Sequence, residues 1–397
     1  MAFSLASILI FSLLVDWLFR LLDLPGFVGI LLVGLFLGPH YFNGISTDLL
    51  AISTDLRLIA LVVILLRAGF SIHIQSIRHF GWRLLLFSIL PSVVEAFTVA
   101  VGSHFFLSFS WYSAMTLGFI LPAVSPAVII PFMLRYIDEK RGTAKKIPQF
   151  IIAAASLDNI FNILVCNIFI SLYGHPEAKL FLQFVKIPVA IINGIFLGLC
   201  TGFALCKIFE KFNPRATKRG LVVLALSLLF VQLEKIAVPT LVSPLLATMV
   251  MGSLILTHRE KMAHEIASKL GKIWIFAEIV LFAIVGAEFN PALAWQSGIA
   301  GILIVILGVF ARLIGVWFSL IASSFTTGEK GFIMSAWTPK ASVQAALGAA
   351  PLLAMKAARL DCSPGEMILA LSTLSIILTA PLGAIATKKA GDKWLTT

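Results

Sequence analysis

Asp158 and Asn159 sit in the middle of an apolar stretch, IPQFIIAAASLDNIFNILVCNIFISLY over 147–173, that is long enough to cross a bilayer as a helix. A carboxylate at that depth is unfavourable by roughly 2.5 to 3.5 kcal/mol on insertion scales, so it needs an internal partner or a purpose. Asn162 lies three and four residues on and shares a helical face with both, and Asn167 adds a further amide. Two readings are open. Asp158 is a buried polar tether between helices, or it faces a water-filled cavity and takes up a cation or a proton. Glu95 (PSVVEAFTV) and Arg312 (GVFARLIGV) are further lone charges deep in apolar runs, and Lys340 lies in a proline-interrupted run, SAWTPKASVQAALGAAP.

The elements that must position these groups follow from composition. Of 397 residues, 59% are hydrophobic and 12% charged, with a mean hydropathy of +1.02. A soluble globular chain carries about 25% charged residues. Half that, with apolar runs of membrane length that do not alternate, gives an all-α polytopic membrane protein and excludes a transmembrane β-barrel. The formal charge of +11 reflects basic loops rather than nucleic-acid binding. Cys166, Cys200, Cys206 and Cys362 have no metal-ligand spacing. No hydrolase triad, phosphate-binding glycine loop or nucleotide signature stands in a fitting context, so no enzyme activity and no cofactor are expected.

About thirteen spans can be marked out, at roughly 4–22, 26–41, 56–71, 84–107, 111–135, 148–173, 180–206, 219–233, 238–257, 272–288, 297–324, 330–356 and 366–387. With that count, five basic loops and tails fall on one side: Arg78 and Arg83; the run from Arg135 to Lys146; Lys207 to Arg219; Arg259 to Lys272; and Lys388, Lys389 and Lys393. The opposite loops are acidic or balanced, with Asp48 and Asp55, Glu177 with Lys179, Glu234 with Lys235, and Glu288. The N-terminus is therefore expected outside or lumenal and the C-terminus in the cytosol. Arg67, ending the third span, reads as an interfacial charge.

Span 5 contains LPAVSPAVIIP, with Pro122, Pro126 and Pro131, and span 12 contains Pro339 and Pro351. Proline removes a backbone donor and clashes with the preceding turn, so both spans should be broken near the midplane. Two interrupted helices in corresponding positions of two halves mark a transporter's binding site. A shift of seven spans relates the halves, and an odd shift inverts them. It also superimposes span 4, carrying Glu95, on span 11, carrying Arg312, which suggests a structural ion pair across the pseudo-two-fold axis. Lys340 has two readings: it neutralises the ends of the broken helices, or it pairs with Asp158 and titrates with it.

The pieces LRAGF at 66–70, VVEAF at 93–97, LPAVSPAVIIP at 121–131, AASLDN at 154–159, FARL at 310–313 and WTPKASVQAALG at 337–348 resemble cation/proton antiporters of the Na+/H+ type, within them the animal sodium/hydrogen exchanger 9B branch. The resemblance covers nearly the whole chain. It implies inverted repeats with two crossed, broken helices, a mobile core (84–175 and 291–397) and a scaffold that forms a homodimer (1–83 and 176–290), moving in an elevator-like step. Asp158 would be the first carboxylate of the paired-acid motif, Glu95 and Arg312 the intramembrane ion pair, and Lys340 the core lysine at the crossing of Pro122, Pro126 and Pro339. The branch has Asp-Asp where this chain has Asp158-Asn159, and its N-terminus is short, as in a truncated form.

The expected function is exchange of Na+ or Li+ for H+ in a plasma or organelle membrane, with Asp158 as shared site and Asn159, Asn162 and Ser125 as neutral oxygen ligands beside Lys340. A single acid implies one-for-one, electroneutral exchange. The alternative raised by Asn159 is a transport-inactive or altered-selectivity homologue that acts as a regulatory or dimerisation partner. A weaker third reading is an ion-coupled carrier of a small organic anion, held by Lys340 and Arg312.

Overall fold

The computed structural model describes residues 1–22, 25–71, 80–174, 180–236, 242–290, 292 and 298–395, without the side chains of 174, 180–187 and 234–236. Arg78, Glu177 and Lys179, used above for orientation, lie outside the described residues, as do the side chains of Glu234 and Lys235. Among the described residues there are helices and no strands. In chain order they are α1 (Ala2–Leu21), α2 (Gly26–Leu37), α3 (Thr47–Ala51), α4 (Ser53–Gly69), α5 (Trp82–Leu107), α6 (Trp111–Ile120), α7 (Pro126–Asp138), α8 (Ile147–Gly174) and α9 (Leu180–Phe212). They continue with α10 (Ala216–Ile236), α11 (Pro244–His258), α12 (Glu260–Glu288), α13 (Gly298–Leu320), α14 (Thr327–Ala336), α15 (Ser342–Leu347), α16 (Ala350–Ala357) and α17 (Ser363–Trp394).

Eight of these helices, α1, α5, α8, α9, α10, α12, α13 and α17, are long and apolar enough to cross a membrane. Helices α2 and α11 are apolar but shorter. Every segment marked out in the sequence holds helix, while the count of thirteen crossings stays an expectation. Large apolar side chains such as Ile302, Ile306, Phe310 and Trp317 on α13 stand exposed, as a lipid-facing surface requires.

Both expected breaks are present. Helix α6 stops at Ile120, and α7 restarts at Pro126 after an extended Ser125. Pro122 forbids continuation of the first helix, and Pro126 takes the first helical position, where no amide donor is needed. Helix α14 stops at Ala336 and α15 restarts at Ser342, with Pro339 between them. The prolines outside the breaks behave differently: Pro131 lies inside α7 without ending it, and Pro351 opens α16. The two breaks touch where the Ser125 amide donates to the Pro339 carbonyl at 3.0 Å.

Helices α5 and α13 lie side by side. A Cβ on Gly315 would come within 2.7 Å of Pro91 Cα, and one on Gly308 within 2.8 Å of Val99 Cγ2. Glycine at these two positions lets the backbones approach closely enough for Arg312, between them on α13, to reach across to α5.

Candidate functional site

The breaks leave helix ends inside the protein, and the site is assembled from what answers them. An interrupted helix exposes unpaired carbonyls and a partial negative charge at its C-terminus, and unpaired amides with a partial positive charge at its N-terminus. At the end of α6, Gln344 Nε2 donates to the carbonyls of Ile120, Leu121 and Ala123 at 3.1, 2.8 and 2.7 Å. Lys340 Nζ donates to the same Leu121 carbonyl at 2.8 Å. At the end of α14, Arg312 Nε donates to the Trp337 carbonyl at 3.0 Å. Each broken helix thus ends on a cation contributed by the second half of the chain. At the other pole, the Val124 amide just before α7 donates to Asp158 Oδ2 at 3.0 Å.

The charged groups form one chain. Arg312 Nη2 donates to Asp158 Oδ1 at 3.0 Å and Nη1 to Glu95 Oε2 at 3.1 Å. Lys340 Nζ pairs with Glu95 Oε1. Ser92 donates its hydroxyl proton to Asp158 Oδ1 and accepts from Asn162 Nδ2 at 2.9 Å and from Arg312 Nη1 at 3.3 Å. All of these side chains are buried, none more than 1% exposed. Two carboxylates against two cations make the cluster neutral, which a membrane interior demands.

The structure thus brings the sequence candidates together. Glu95 and Arg312 pair, as the repeat correspondence suggested, and Arg312 also holds Asp158. Lys340 departs from one of its two readings. It does not pair with Asp158; it meets Glu95 and a helix-end carbonyl, because Arg312 already occupies the Asp158 carboxylate. Asn162 Nδ2 returns to the Asp158 carbonyl at 2.8 Å, leaving its Oδ1 unpartnered. Asn159 is fully buried with neither amide atom bonded. Ser125 Oγ lies 3.5 Å from Ser342 Oγ.

Buried polar atoms without partners are rare, and Asn159 and Asn162 both carry them. The oxygens of Asn159, Asn162 and Ser125 are hard donors that suit a small monovalent cation, with Asp158 as the adjacent charge. No group of three His, Cys, Asp or Glu side chains suited to a resident metal occurs among the described residues.

Sequence reasoning passed over Ser92, Gln344, Arg57 and Glu278. Ser92 stands three residues before Glu95 on α5, so helical spacing from a known charge locates it, whereas Gln344 lies in α15, beyond the break that holds Lys340. Arg57 is buried on α4 and pairs with Glu288 on α12. Glu278 lies within α12, beyond the last basic residue of the preceding loop. Arg67, read as interfacial, instead lines a cavity between helices.

A family model described as "Sodium/hydrogen exchanger, transmembrane" matches residues 6–389. Human sodium/hydrogen exchanger 9B1 is 32% identical over 356 residues, which cover 87% of this chain and 67% of that protein. Sodium/hydrogen exchanger 9B2 of Xenopus tropicalis is 33% identical over 352 residues, covering 86% and 64%. The chain spans about two thirds of the length of these relatives. The solved structure of the sodium proton antiporter MjNhaP1 from Methanocaldococcus jannaschii at pH 8 matches with a TM-score of 0.82 at 19% identity, over 98% of this chain and 97% of that one. That likeness is one of fold.

Proposed function

The chain belongs to the transmembrane sodium/hydrogen exchanger family, and on that premise we propose that it exchanges Na+ or Li+ for H+ across a membrane, with Asp158 as the shared cation and proton site. It is an integral multi-pass membrane protein of a transporter family, and cation/proton exchange is the activity its kinship supports. The observation that carries the assignment to Asp158 is its position: fully buried, hydrogen-bonded to the first helix break, beside unpartnered amide oxygens of Asn159 and Asn162.

The mechanism follows from competition. Arg312, Ser92 and Val124 hydrogen-bond to the carboxylate oxygens of Asp158. An arriving cation takes the place of Arg312, which keeps its contact with Glu95, and Asn159, Asn162 and Ser125 contribute neutral oxygens. Glu95 and Lys340 hold the crossing together. A proton on Asp158 excludes the cation, and a cation excludes the proton. Exchange is coupled because the empty, charged site does not cross. One carboxylate carrying either one proton or one cation makes the exchange one-for-one and electroneutral.

The moving unit in this reading is the core, 84–175 with 291–397, which slides in an elevator-like step against a scaffold of 1–83 and 176–290 that also forms a homodimer. The one-sided basic loops support a cytosolic C-terminus and an N-terminus on the outer or lumenal side.

The test is dequenching of a pH-sensitive dye in proteoliposomes on adding Na+, Li+ or K+, with wild type beside Asp158→Asn. Exchange in the wild type and its loss in the variant is the expected result. Exchange that survives Asp158→Asn overturns the assignment. Exchange seen only after Asn159→Asp favours the second reading, a transport-inactive partner, for which the orphaned Asn159 amide is the supporting observation. Clamping the membrane potential leaves the wild-type rate unchanged if the exchange is electroneutral.

A further inference from the structure

A cavity of about 580 Å³ opens between two sets of helices. Its lining includes Arg67 of α4, Trp274 and Glu278 of α12, Pro126 and Pro131 of α7, and Ala384 of α17. Pro126 is the first residue of α7, one residue beyond Ser125 and two beyond Val124, whose amide holds Asp158. The cavity therefore ends beside the helix break whose Val124 amide holds Asp158. Glu278 stands on the lining, half-buried, six residues after Lys272 and so about 9 Å further along the helix.

The charges around this carboxylate are specific. The Trp274 indole N–H is directed at it, and Arg67 interacts with it electrostatically while lying 5.8 Å from the Trp274 ring centre. Among the described residues no lysine or arginine nitrogen comes within ion-pairing distance of Glu278. The other lining charges are Asp16 and Arg20, paired at 2.8 Å, Arg135, paired with Glu139 at 2.6 Å, and Lys388. Glu278 is thus a half-buried carboxylate on the cavity lining, with no lysine or arginine of the described residues in contact with it.

We propose that Glu278 is a second cation position, an entry site where a monovalent cation pauses in the cavity before it moves to Asp158. A carboxylate in a narrow aqueous cleft raises the local cation concentration. A site on a conduction route must also release its ion, and the nearby Arg67 charge keeps Glu278 from holding it tightly. The inference rests on the exchange reading for the cation's destination, but the entry site itself is read independently, from one face of the membrane.

The experiment uses the full chain in oriented proteoliposomes and measures the apparent KM for Na+ separately on the two faces. Glu278→Gln is expected to raise KM on the face to which the cavity opens by up to about tenfold, with little change on the other face. Glu278→Asp restores part of the affinity, and Arg67→Gln lowers KM on that same face. A KM unmoved by Glu278→Gln, or a fall in maximal rate with equal KM changes on both faces, overturns the proposal. Na+-dependent thermal stabilisation of detergent-solubilised protein supplies a readout that needs no exchange. In Asp158→Asn, loss of the high-affinity phase with retention of a low-affinity phase that disappears in the Asp158→Asn, Glu278→Gln double variant supports the entry site. An Asp158→Asn protein without any Na+ response refutes it, whatever becomes of the exchange reading.

Discussion

Arg312 and Asp158 meet at 3.0 Å in the interior although they stand 154 residues apart in the chain and belong to opposite halves of the repeat. The same guanidinium reaches Glu95 and the Trp337 carbonyl that caps α14. Its planar fork allows three directions of hydrogen bonding at once, which a lysine ammonium on a flexible stem would not reproduce. The Asp158 carboxylate is thereby tied to both broken helices: a change there reaches α7 through Val124 and α14 through Arg312.

Removing that guanidinium should be costly. Arg312→Gln leaves Glu95 with Lys340 but strips Asp158 of its cation, and breaking a buried pair from one side costs about 3 to 5 kcal/mol. Thermal unfolding in detergent is expected to show a large loss of stability for Arg312→Gln and an intermediate loss for Arg312→Lys, which keeps the charge but not the fork. An Arg312→Gln protein that melts with the wild type would show that the pair is not holding α5 and α8 to α13.

The stoichiometry reading turns on position 159. Asn159→Asp adds a second carboxylate beside Asp158, where the amide now has no bonded partner. If that acid binds a second proton, one net charge crosses per cycle, worth about 2.3 kcal/mol per 100 mV, or about fiftyfold in the gradient that can be supported. Proteoliposomes clamped with a potassium gradient should then show voltage-driven exchange in Asn159→Asp and none in the wild type. Voltage dependence already present in the wild type contradicts the single-acid scheme.

Much of this was legible in the sequence because membranes penalise charge so heavily. Five ionisable or amide positions, Glu95, Asp158, Asn162, Arg312 and Lys340, stood out against apolar runs, and all meet at the crossing. The breaks were legible from proline, whose lost amide donor has the same consequence in any context. What was not legible was the pairing. Sequence spacing says which groups share a helix face, not which of two cations reaches a given carboxylate, so Lys340 was open between Asp158 and the helix ends. Glu278 was hidden for a different reason: a single charge in a long apolar helix near a basic loop looks like loop charge until the packing sets it on a cavity wall. Ser92 and Gln344 carry no charge and raise no alarm in hydropathy, although Ser92 lies one helical turn from Glu95 and Gln344 just beyond the break that holds Lys340.

Close helix packing gives a third prediction. A Cβ added at Gly286 of α12 would collide with the Leu31 backbone of α2, and one added at Gly34 would collide with the backbone of Ala283. These obstacles are main chain and do not rotate aside. Gly286→Ala should therefore cost about 1 to 3 kcal/mol, as overpacking does. Gly271, on the same helix, has nothing within 4 Å of the added atom, so Gly271→Ala should leave stability equal or slightly raised. Paired melting curves of the two variants check the contrast, and equal losses would show that glycine's role in α12 is not contact with α2.

The fourth prediction concerns pH at the basic face. Thr326 and Glu329 form a capping box at the start of α14, and Glu329 Oε2 accepts from Lys145 Nζ, just before α8, at 2.7 Å. Burial raises the Glu329 pKa, but the Lys145 hydrogen bond and the Thr326 amide outweigh it and hold the carboxyl below its ordinary value. A depressed folded-state pKa contributes stability that is present above the unfolded value, about 4.3 for glutamate, and is lost as pH falls through the folded value. With Lys145 39% exposed, solvent screening keeps the contribution near ~0.5 kcal/mol. Glu329→Gln retains the capping geometry without the charge. The variant should melt slightly below the wild type at neutral pH, and the gap should close as the pH is taken below about 4. A gap that persists or widens in acid would mean that the side chain stabilises the turn through hydrogen bonding alone, with no share from its charge.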